Sequence, residues 1–147
     1  MKNIIVACDF SSQDEAIETI EQLKDEIFGI KVGLQYVTST GTEGVKSLLK
    51  FNLPIMYDIK ALDIRNTVVE FTKTLKNLKV SYATVHLLNG EKTLKEAVKH
   101  AGNVKLIGIS VLTSFSDETL QKLGFSNNVE KQVERLVKIA SAAELYG

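Results

Sequence analysis

Short apolar segments alternate with longer amphipathic segments along the whole chain, and no other feature of the sequence constrains the fold as strongly. Strands that alternate with helices of this length predict a parallel sheet with right-handed crossovers. The predicted fold is α/β with about five β/α units in a single domain, residues 1–147. A doubly wound open sheet and a partial (β/α)8 TIM barrel both fit this pattern. The predicted strands are residues 4–9, 28–34, 55–60, 82–87 and 105–113.

Apolar residues at helical spacing predict a helix after each strand. The first helix has a capping box of Ser12 and Glu15 at its start. A short polar segment at 116–124 precedes the last helix. The other helical regions are predicted to reach Phe51 and to cover residues 66–78 and 91–100. The last helix has a predicted apolar stripe of Val129, Val133, Leu136, Val137 and Ala140.

The charge and cysteine content exclude several classes of protein. Eighteen basic and eighteen acidic side chains cancel, which gives no overall field for nucleic acid or an anionic membrane. No apolar run approaches the roughly 18–20 residues that cross a bilayer, and the N-terminus is a poor signal peptide. A single cysteine, Cys8, excludes an internal disulfide and a multi-cysteine metal site. We therefore expect a cytoplasmic protein without a metal.

Charged side chains stand at the predicted strand ends, where α/β proteins place their functional groups. Asp9 ends the first strand, Lys31 lies near the end of the second, and Asp58 and Lys60 end the third, followed by Asp63. Side chains two apart on a strand share a face, so Asp58 and Lys60 are expected to point the same way. Tyr57 and Ile59 would point the other way, and Gly29 and Gly33 would leave room for Lys31.

The charges of Lys31, Asp58, Lys60 and Asp63 sum to zero. An alternating array of cations and anions would keep both lysines protonated and both carboxylates ionised in a pocket. Such an array can stabilise a developing negative charge without a metal or an organic cofactor. Each residue alone is more simply a solvated strand end, whereas the set at matching ends favours a functional site.

Other candidate residues have simpler interpretations. His86 is expected to be a core histidine, and Asn66 and Thr67, with Glu70 following, could form only a helix cap. The sequence has no dinucleotide-binding glycine motif, no Walker loop, no H-E-x-x-H and no nucleophile elbow.

Residues 58–68, DIKALDIRNTV, resemble the D-x-K-x-x-D-I-x-N-T-V signature of orotidine 5′-phosphate decarboxylases. Sugar-phosphate decarboxylases and hexulose-phosphate synthases of the same superfamily share only the D-x-K-x-x-D core. The continuation at 64–67 favours the nucleotide enzyme. Three further segments, 6–10, 31–34 and 111–114, match in the same order and spacing.

The resemblance implies a dimeric β/α barrel with its active site at the subunit interface and no cofactor. Its substrate would be orotidine 5′-phosphate, converted to uridine monophosphate and carbon dioxide in pyrimidine synthesis. Lys60 would donate a proton to pyrimidine C6, Asp58 would lie against the departing carboxylate, and Lys31 and Asp63 would complete the array. The neighbouring subunit would contribute Asp63, Ile64 and Thr67. Asp9 and Lys31 would hold ribose hydroxyls, and Ser114 would contact the base.

The sequence departs from the family at two places. Residues 87–90 are bulkier than the family's small residues and glycines. A β/α barrel also needs eight units and at least about 200 residues, whereas this chain reaches Gly147, where a sixth strand is expected to begin. The glutamine and arginine that bind phosphate in the family are expected beyond that point.

Three functions follow as alternatives. The first is an active decarboxylase whose barrel is completed by another polypeptide or an unusual assembly. The second is a truncated, inactive relative that acts at most as a dimerising or binding module. The third, a sugar-phosphate enzyme of the same superfamily that uses magnesium, is disfavoured by residues 64–67 and 111–114. Because a partial barrel leaves two sheet edges uncovered, we expect an oligomer.

Overall fold

A computed structural model describes residues 2–125 and 128–147 as one parallel sheet with helices between its strands. The five strands are β1 Ile5–Cys8, β2 Gly29–Gly33, β3 Ile55–Ala61, β4 Tyr82–His86 and β5 Lys105–Ile109. The helices are α1 Gln13–Leu23, α2 Leu34–Leu48, α3 Arg65–Asn77, α4 Gly90–Ala101, α5 Asp117–Lys122 and α6 Val129–Ala142. Short 3-10 turns at Leu49–Phe51 and Leu87–Asn89 follow α2 and β4.

The order of the strands decides between the two predicted architectures. They run β1-β2-β3-β4-β5 across the sheet, and each pairs in parallel with the next. A doubly wound sheet reverses its strand order at a switch point. The uninterrupted order is that of consecutive units of a β/α barrel, and it confirms the barrel prediction.

The two faces of the sheet differ in composition because successive side chains point to opposite sides. On β2, Ile30 and Val32 are fully buried, whereas Lys31 between them is only partly buried and points to the other face. Cys8 on β1 and Ile55 on β3 are buried like Ile30. The face with these apolar side chains belongs to one hydrophobic cluster with the helices, including Ile20, Leu48, Leu75, Leu94 and Leu136. The opposite face carries Lys31 and Asp58 together with apolar side chains such as Ile5 and Met56.

Side-chain caps start three of the helices. The Ser12 hydroxyl accepts a hydrogen bond from the Glu15 amide at 3.5 Å, which is one of the two hydrogen bonds of the predicted capping box. Asn128 accepts from the Lys131 amide at 3.0 Å at the start of α6. Ser116 accepts from the Thr119 amide at 3.2 Å and so begins α5, where we predicted only a polar segment. The buried Leu120 anchors this short helix.

Two other predicted features are wrong in detail. The fifth strand ends at Ile109 rather than at residue 113, because residues 110–116 turn toward α5. The buried residues of α6 are Gln132 and Leu136, and Ala143 directly after the helix is also buried. Val137 of the predicted stripe is 52% exposed, because it lies about 100° around the helix from Leu136.

The last two residues pair with the outer edge of β5. The Tyr146 amide donates to the Leu106 carbonyl at 3.0 Å, and the Gly108 amide donates to the Gly147 carbonyl at 2.8 Å. The Lys105 ammonium lies 4.4 Å from the centre of the Tyr146 ring and 5.4 Å from that of Tyr82. These contacts continue the sheet at the position predicted for a sixth strand.

Within residues 2–125 and 128–147, no helix combines the length and the apolar character that crossing a membrane requires.

Candidate active site

Four of the predicted charged residues form a chain of contacts across the carboxyl ends of β1, β2 and β3. The Lys31 ammonium lies 3.6 Å from Asp9 Oδ1 and 3.5 Å from Asp58 Oδ2. The Lys60 ammonium donates a hydrogen bond to Asp58 Oδ1 at 2.9 Å. Each carboxylate oxygen of Asp58 therefore faces a different lysine.

Two glycines on β2 allow this approach for different reasons. A Cβ atom at Gly33 would lie 3.2 Å from Asp9 Oδ1 and 3.6 Å from Lys31 Nζ, so Gly33 leaves room for the lysine head group. A Cβ atom at Gly29 would lie 2.7 Å from the Pro54 carbonyl oxygen. The prediction is thus confirmed for Gly33, whereas Gly29 lets β2 approach the start of β3.

Asp58 is the most buried member of the array, with 13% of its side chain exposed. Burial alone would raise the pKa of its carboxyl group. Hydrogen bonds from Lys60 and Thr84, together with the charges of Lys60 and Lys31, outweigh that effect and lower the pKa below its usual value. Asp58 is therefore an ionised carboxylate at neutral pH.

The backbone at Lys60 departs from a regular strand. The pairing of β3 with β4 shifts register between Tyr57 and Ala61, where β3 advances by four residues while β4 advances by two. Lys60 has a backbone φ of +53°, which residues other than glycine rarely adopt. Asp58 and Lys60 make contact as predicted, but through this irregular segment. Ile59, expected to point away, lines the same cavity as Lys60.

Asp63, the fourth member of the predicted array, lies outside it in this chain. Among the described residues no cation lies within 4.0 Å of its carboxylate, and its Oδ1 accepts from the Ile64 amide at 2.7 Å. The Asp63 amide donates to Asn89 Oδ1 at 3.2 Å, and Asn89 Nδ2 donates to the Ala61 carbonyl at 2.8 Å. Asn89 thus ties the loop after β3 to the end of β4.

Three of the remaining predicted residues line cavities that Lys60 also lines. Asp63 and Thr67 line one cavity of about 360 Å³ with Lys60, and Ser114 lines another of about 470 Å³ with it. Ile64 is 73% exposed. The helix-cap interpretation of Asn66 and Thr67 is wrong, because α3 begins at Arg65 without a side-chain cap.

A larger apolar cavity of about 520 Å³ adjoins Lys60 at the ends of β4 and β5. His86 is 9% exposed on its wall, and its Nδ1 accepts a hydrogen bond from the Leu88 amide at 3.2 Å. Burial lowers the pKa of His86, so the ring is neutral at neutral pH, in line with the expected core histidine. Most other lining residues are apolar, among them Leu62, Val111, Phe115, Leu120 and Leu136.

The described residues offer little to a metal or a nucleophile. Within residues 2–125 and 128–147, no group of three or more His, Cys, Asp or Glu side chains is placed to hold a metal ion. Burial first, and then the charge of Asp9, raise the pKa of the Cys8 thiol to about 11. That thiol therefore stays protonated, and the lysines and carboxylates remain the reactive groups of this edge.

Two residues that hold the site were missed from the sequence. Thr84, fully buried on β4, donates to Asp58 Oδ1 at 2.9 Å and accepts from the Lys60 amide at 2.8 Å. Its signal was a hydroxyl between the apolar residues Ala83 and Val85 in the middle of the strand. Asn89 was noted only as part of a segment bulkier than expected, although its amide group makes the contacts to Ala61 and Asp63.

Residues 2–147 match the family described as orotidine 5′-phosphate decarboxylase / HUMPS family. The orotidine 5′-phosphate decarboxylase of Wolbachia pipientis subsp. Culex pipiens is 38% identical over 149 residues, which cover 100% of this chain and 66% of that protein. The crystal structure of orotidine 5′-phosphate decarboxylase from Lactobacillus acidophilus matches with a TM-score of 0.88 at 29% identity, over 97% of this chain and 68% of that one.

An uncharacterized conserved protein from Geobacillus kaustophilus has a TM-score of 0.91 at 24% identity, over 97% of this chain and 71% of that one. At this identity the likeness shows the fold alone. The orotidine 5′-phosphate decarboxylases among these neighbours are β/α barrels, so the five strands form part of such a barrel. The chain spans 66% of the length of its Wolbachia relatives.

Proposed function

The chain belongs to the orotidine 5′-phosphate decarboxylase / HUMPS family, and from that premise we propose that it provides the decarboxylating centre of an orotidine 5′-phosphate decarboxylase. The proposed substrate is orotidine 5′-phosphate, and the products are uridine 5′-monophosphate and carbon dioxide. Relatives with this enzyme's name at 33–38% identity support the nucleotide substrate over a sugar phosphate.

One observation supports the proposal above all others: the buried Asp58 carboxylate lies between the ammonium groups of Lys31 and Lys60. In the proposed reaction the bond between pyrimidine C6 and the carboxylate breaks, and its electron pair stays on C6. The Lys60 ammonium then donates a proton to C6 and becomes a neutral amine, which solvent reprotonates. The resulting carbanion has little resonance stabilisation, so a cation already aimed at C6 lowers the barrier.

Asp58 has a different part in this reaction. Its lowered pKa keeps it negative beside the substrate carboxylate. Loss of carbon dioxide removes that second negative charge, so Asp58 disfavours the bound substrate more than the transition state. Asp58 also holds the two ammonium groups in place through direct contacts.

The other predicted site residues take substrate-binding roles in this proposal. Asp9 and Lys31 would hold ribose hydroxyls, and Ser114 would contact the base. Asp63, Ile64 and Thr67 would act in the site of a neighbouring subunit. The high exposure of Ile64 and the contact of the Asp63 carboxylate with a backbone amide, rather than with a lysine of its own protomer, support this arrangement.

A homodimer is therefore part of the proposal. The exposed apolar side chains that follow β2, β3 and β4 support it, namely Leu34, Leu62, Ile64 and Leu88. Light scattering coupled to gel filtration tests it, with Ile64→Glu expected to shift the protein toward monomer. A wild-type protein that is monomeric at all accessible concentrations would contradict the dimer. Cytoplasmic location stays a prediction for cell fractionation to test.

Decarboxylation is tested by the loss of ultraviolet absorbance of orotidine 5′-phosphate. We expect Lys60→Ala to abolish turnover, and Lys95→Ala, a lysine paired with Glu91 on the surface of α4, to preserve it. Turnover that both variants share with wild type would reject Lys60 as the proton donor. Absence of turnover in wild type, with uridine 5′-monophosphate still bound in calorimetry, would leave the alternative of a binding module.

A further inference from the structure

Thr84 connects the two reactive residues of β3 through a single buried hydroxyl group. Its Oγ1 lies 2.9 Å from Asp58 Oδ1 and 2.8 Å from the Lys60 amide nitrogen. A hydroxyl has one hydrogen to donate, and an ionised carboxylate can only accept. Thr84 therefore donates to Asp58 and accepts from the Lys60 amide.

The hydrogen bond to the Lys60 amide replaces one that the sheet does not supply. The register of β3 against β4 is shifted between Tyr57 and Ala61, so Lys60 lies outside the regular ladder. An amide left without an acceptor in a partly buried site destabilises the fold, because it loses its hydrogen bond to water and gains none. Thr84 supplies the acceptor while Lys60 holds its φ of +53°.

The hydrogen bond to Asp58 fixes the carboxylate between its cations. Oδ1 accepts from both Lys60 and Thr84, whereas Oδ2 faces Lys31. With Oδ1 held from two directions, the carboxylate plane is set relative to both ammonium groups.

We propose that Thr84 is a positioning residue for decarboxylation: its hydroxyl holds the Lys60 backbone in the left-handed conformation and the Asp58 carboxylate between Lys31 and Lys60. Thr84 acts through these two residues and is not itself assigned a contact with substrate. The inference rests on the proposed function for its catalytic consequence. Its structural part, the coupling of Asp58 to Lys60, stands apart from turnover.

The test compares Thr84→Val, which keeps the shape and removes the hydroxyl, with Thr84→Ser, which keeps the hydroxyl. Thr72→Val is the matched control, because Thr72 is also fully buried but its hydroxyl donates to the Val68 carbonyl of its own helix. Carbon NMR of the labelled Asp58 carboxyl group gives a readout independent of activity. Other charged groups that act on Asp58 are Lys60 on β3 and Lys31 on β2, with Asp9 beyond Lys31, and all three remain in each variant.

We expect Thr84→Val to raise the pKa of Asp58 and to speed hydrogen exchange of the Lys60 amide, whereas Thr84→Ser and Thr72→Val leave both close to wild type. In turnover, kcat should fall about 10-fold to 100-fold in Thr84→Val with little change in KM, since misplaced reactive groups cost rate rather than affinity. Thr84→Ser should recover most of that loss.

Unchanged Asp58 titration and unchanged Lys60 amide exchange in Thr84→Val would overturn the inference. If Thr84→Val does not fold, hydrogen exchange in the wild-type protein still tests the inference. A wild-type Lys60 amide that exchanges as fast as an exposed loop amide would contradict its hydrogen bond to Thr84. Failure of the proposed function is a separate result: wild type then shows no turnover that depends on Lys60, whatever the NMR of Asp58 reports.

Discussion

At the ends of β1, β2 and β3 the sheet presents charged side chains in mutual contact, whereas the ends of β4 and β5 border a cavity lined mostly by apolar side chains. In the charged half, Lys31 and Lys60 both contact Asp58. In the apolar half, aliphatic and aromatic side chains surround a space of about 520 Å³. Lys60 belongs to both halves, because it contacts Asp58 and also lines the cavity.

The difference shows how one edge of a sheet can hold ionised groups out of bulk water. Charges on partly buried strands are tolerated when each has a partner of opposite sign. The apolar wall beside them lowers the local dielectric constant, which strengthens the field of the Lys60 ammonium. The charged half thus supplies the field, and the apolar half sets how strongly that field acts.

The largest expected effect comes from Asp58→Asn in the charged half. Two partly buried ammonium groups then lose their shared anion, and turnover should fall by about 10³-fold or more. Steady-state assays of orotidine 5′-phosphate loss measure this change. Asp25→Asn, at an exposed position after α1, is the matched control and should be indistinguishable from wild type. Equal activity in the two variants would contradict the part given to Asp58.

The next effect is on the apolar half, where Leu136→Ala should act on stability. Leu136 is 4% exposed on α6 and lines the cavity, so its truncation should lower the free energy of unfolding by about 3 kcal/mol. Val137→Ala, on the exposed side of the same helix, should change it by less than about 0.5 kcal/mol. Denaturant unfolding measures both, and a similar loss in the two variants would show that α6 does not pack as described.

A smaller effect is expected at Asn89, which joins the two halves. Asn89→Ala removes the acceptor for the Asp63 amide and the donor to the Ala61 carbonyl, at a cost of about 1–2 kcal/mol. Hydrogen exchange of the Asp63 amide should accelerate. Asn89→Asp keeps the acceptor and loses the donor, so it should protect the Asp63 amide while still lowering stability. Fast exchange of the Asp63 amide in the wild-type protein would contradict its hydrogen bond to Asn89.

The smallest expected effects are two losses of folding stability on acidification, each over its own pH range and one in each half. Burial lowers the pKa of His86 in the folded state, so the unfolded chain binds its proton first and stability falls as pH drops below about 6.5. Asp58 has a lowered pKa in the folded state, so its contribution is full above about 3.9 and is lost as pH falls through the folded value. Thermal unfolding against pH should no longer show the first loss in His86→Gln or the second in Asp58→Asn. If the loss of stability over either pH range remains in the variant that lacks the assigned residue, another titratable group causes it.

The sequence was sufficient to predict the positions of the strands and most of the residues of the charged half. Apolar runs located all five strands, and the positions of Asp9, Lys31, Asp58 and Lys60 at strand ends predicted that they meet. This worked because parallel strands bring their carboxyl ends to one edge, so local position along the chain sets position in space.

Features that depend on the register between strands could not be predicted in this way. Thr84 contacts Asp58 and Lys60 where the register of β3 against β4 shifts, and no local pattern encodes that shift. The prediction that Val137 is buried was wrong because apolar residues lie on adjoining faces of α6, so the sequence does not show which face is buried. The contact of the Asp63 carboxylate with the Ile64 amide likewise depends on how the loop after β3 is held by Asn89.

The backbone at Lys60 has a consequence for the evolution of the chain. A lysine with a φ of +53° destabilises the fold by about 1–2 kcal/mol relative to a residue that adopts this conformation freely. Glycine does so without a steric cost, so Lys60→Gly would relieve the backbone strain but would also remove the ammonium group that pairs with Asp58. Selection on the backbone conformation alone would favour a glycine here. The lysine at this position is what selection for a cation beside Asp58 would retain.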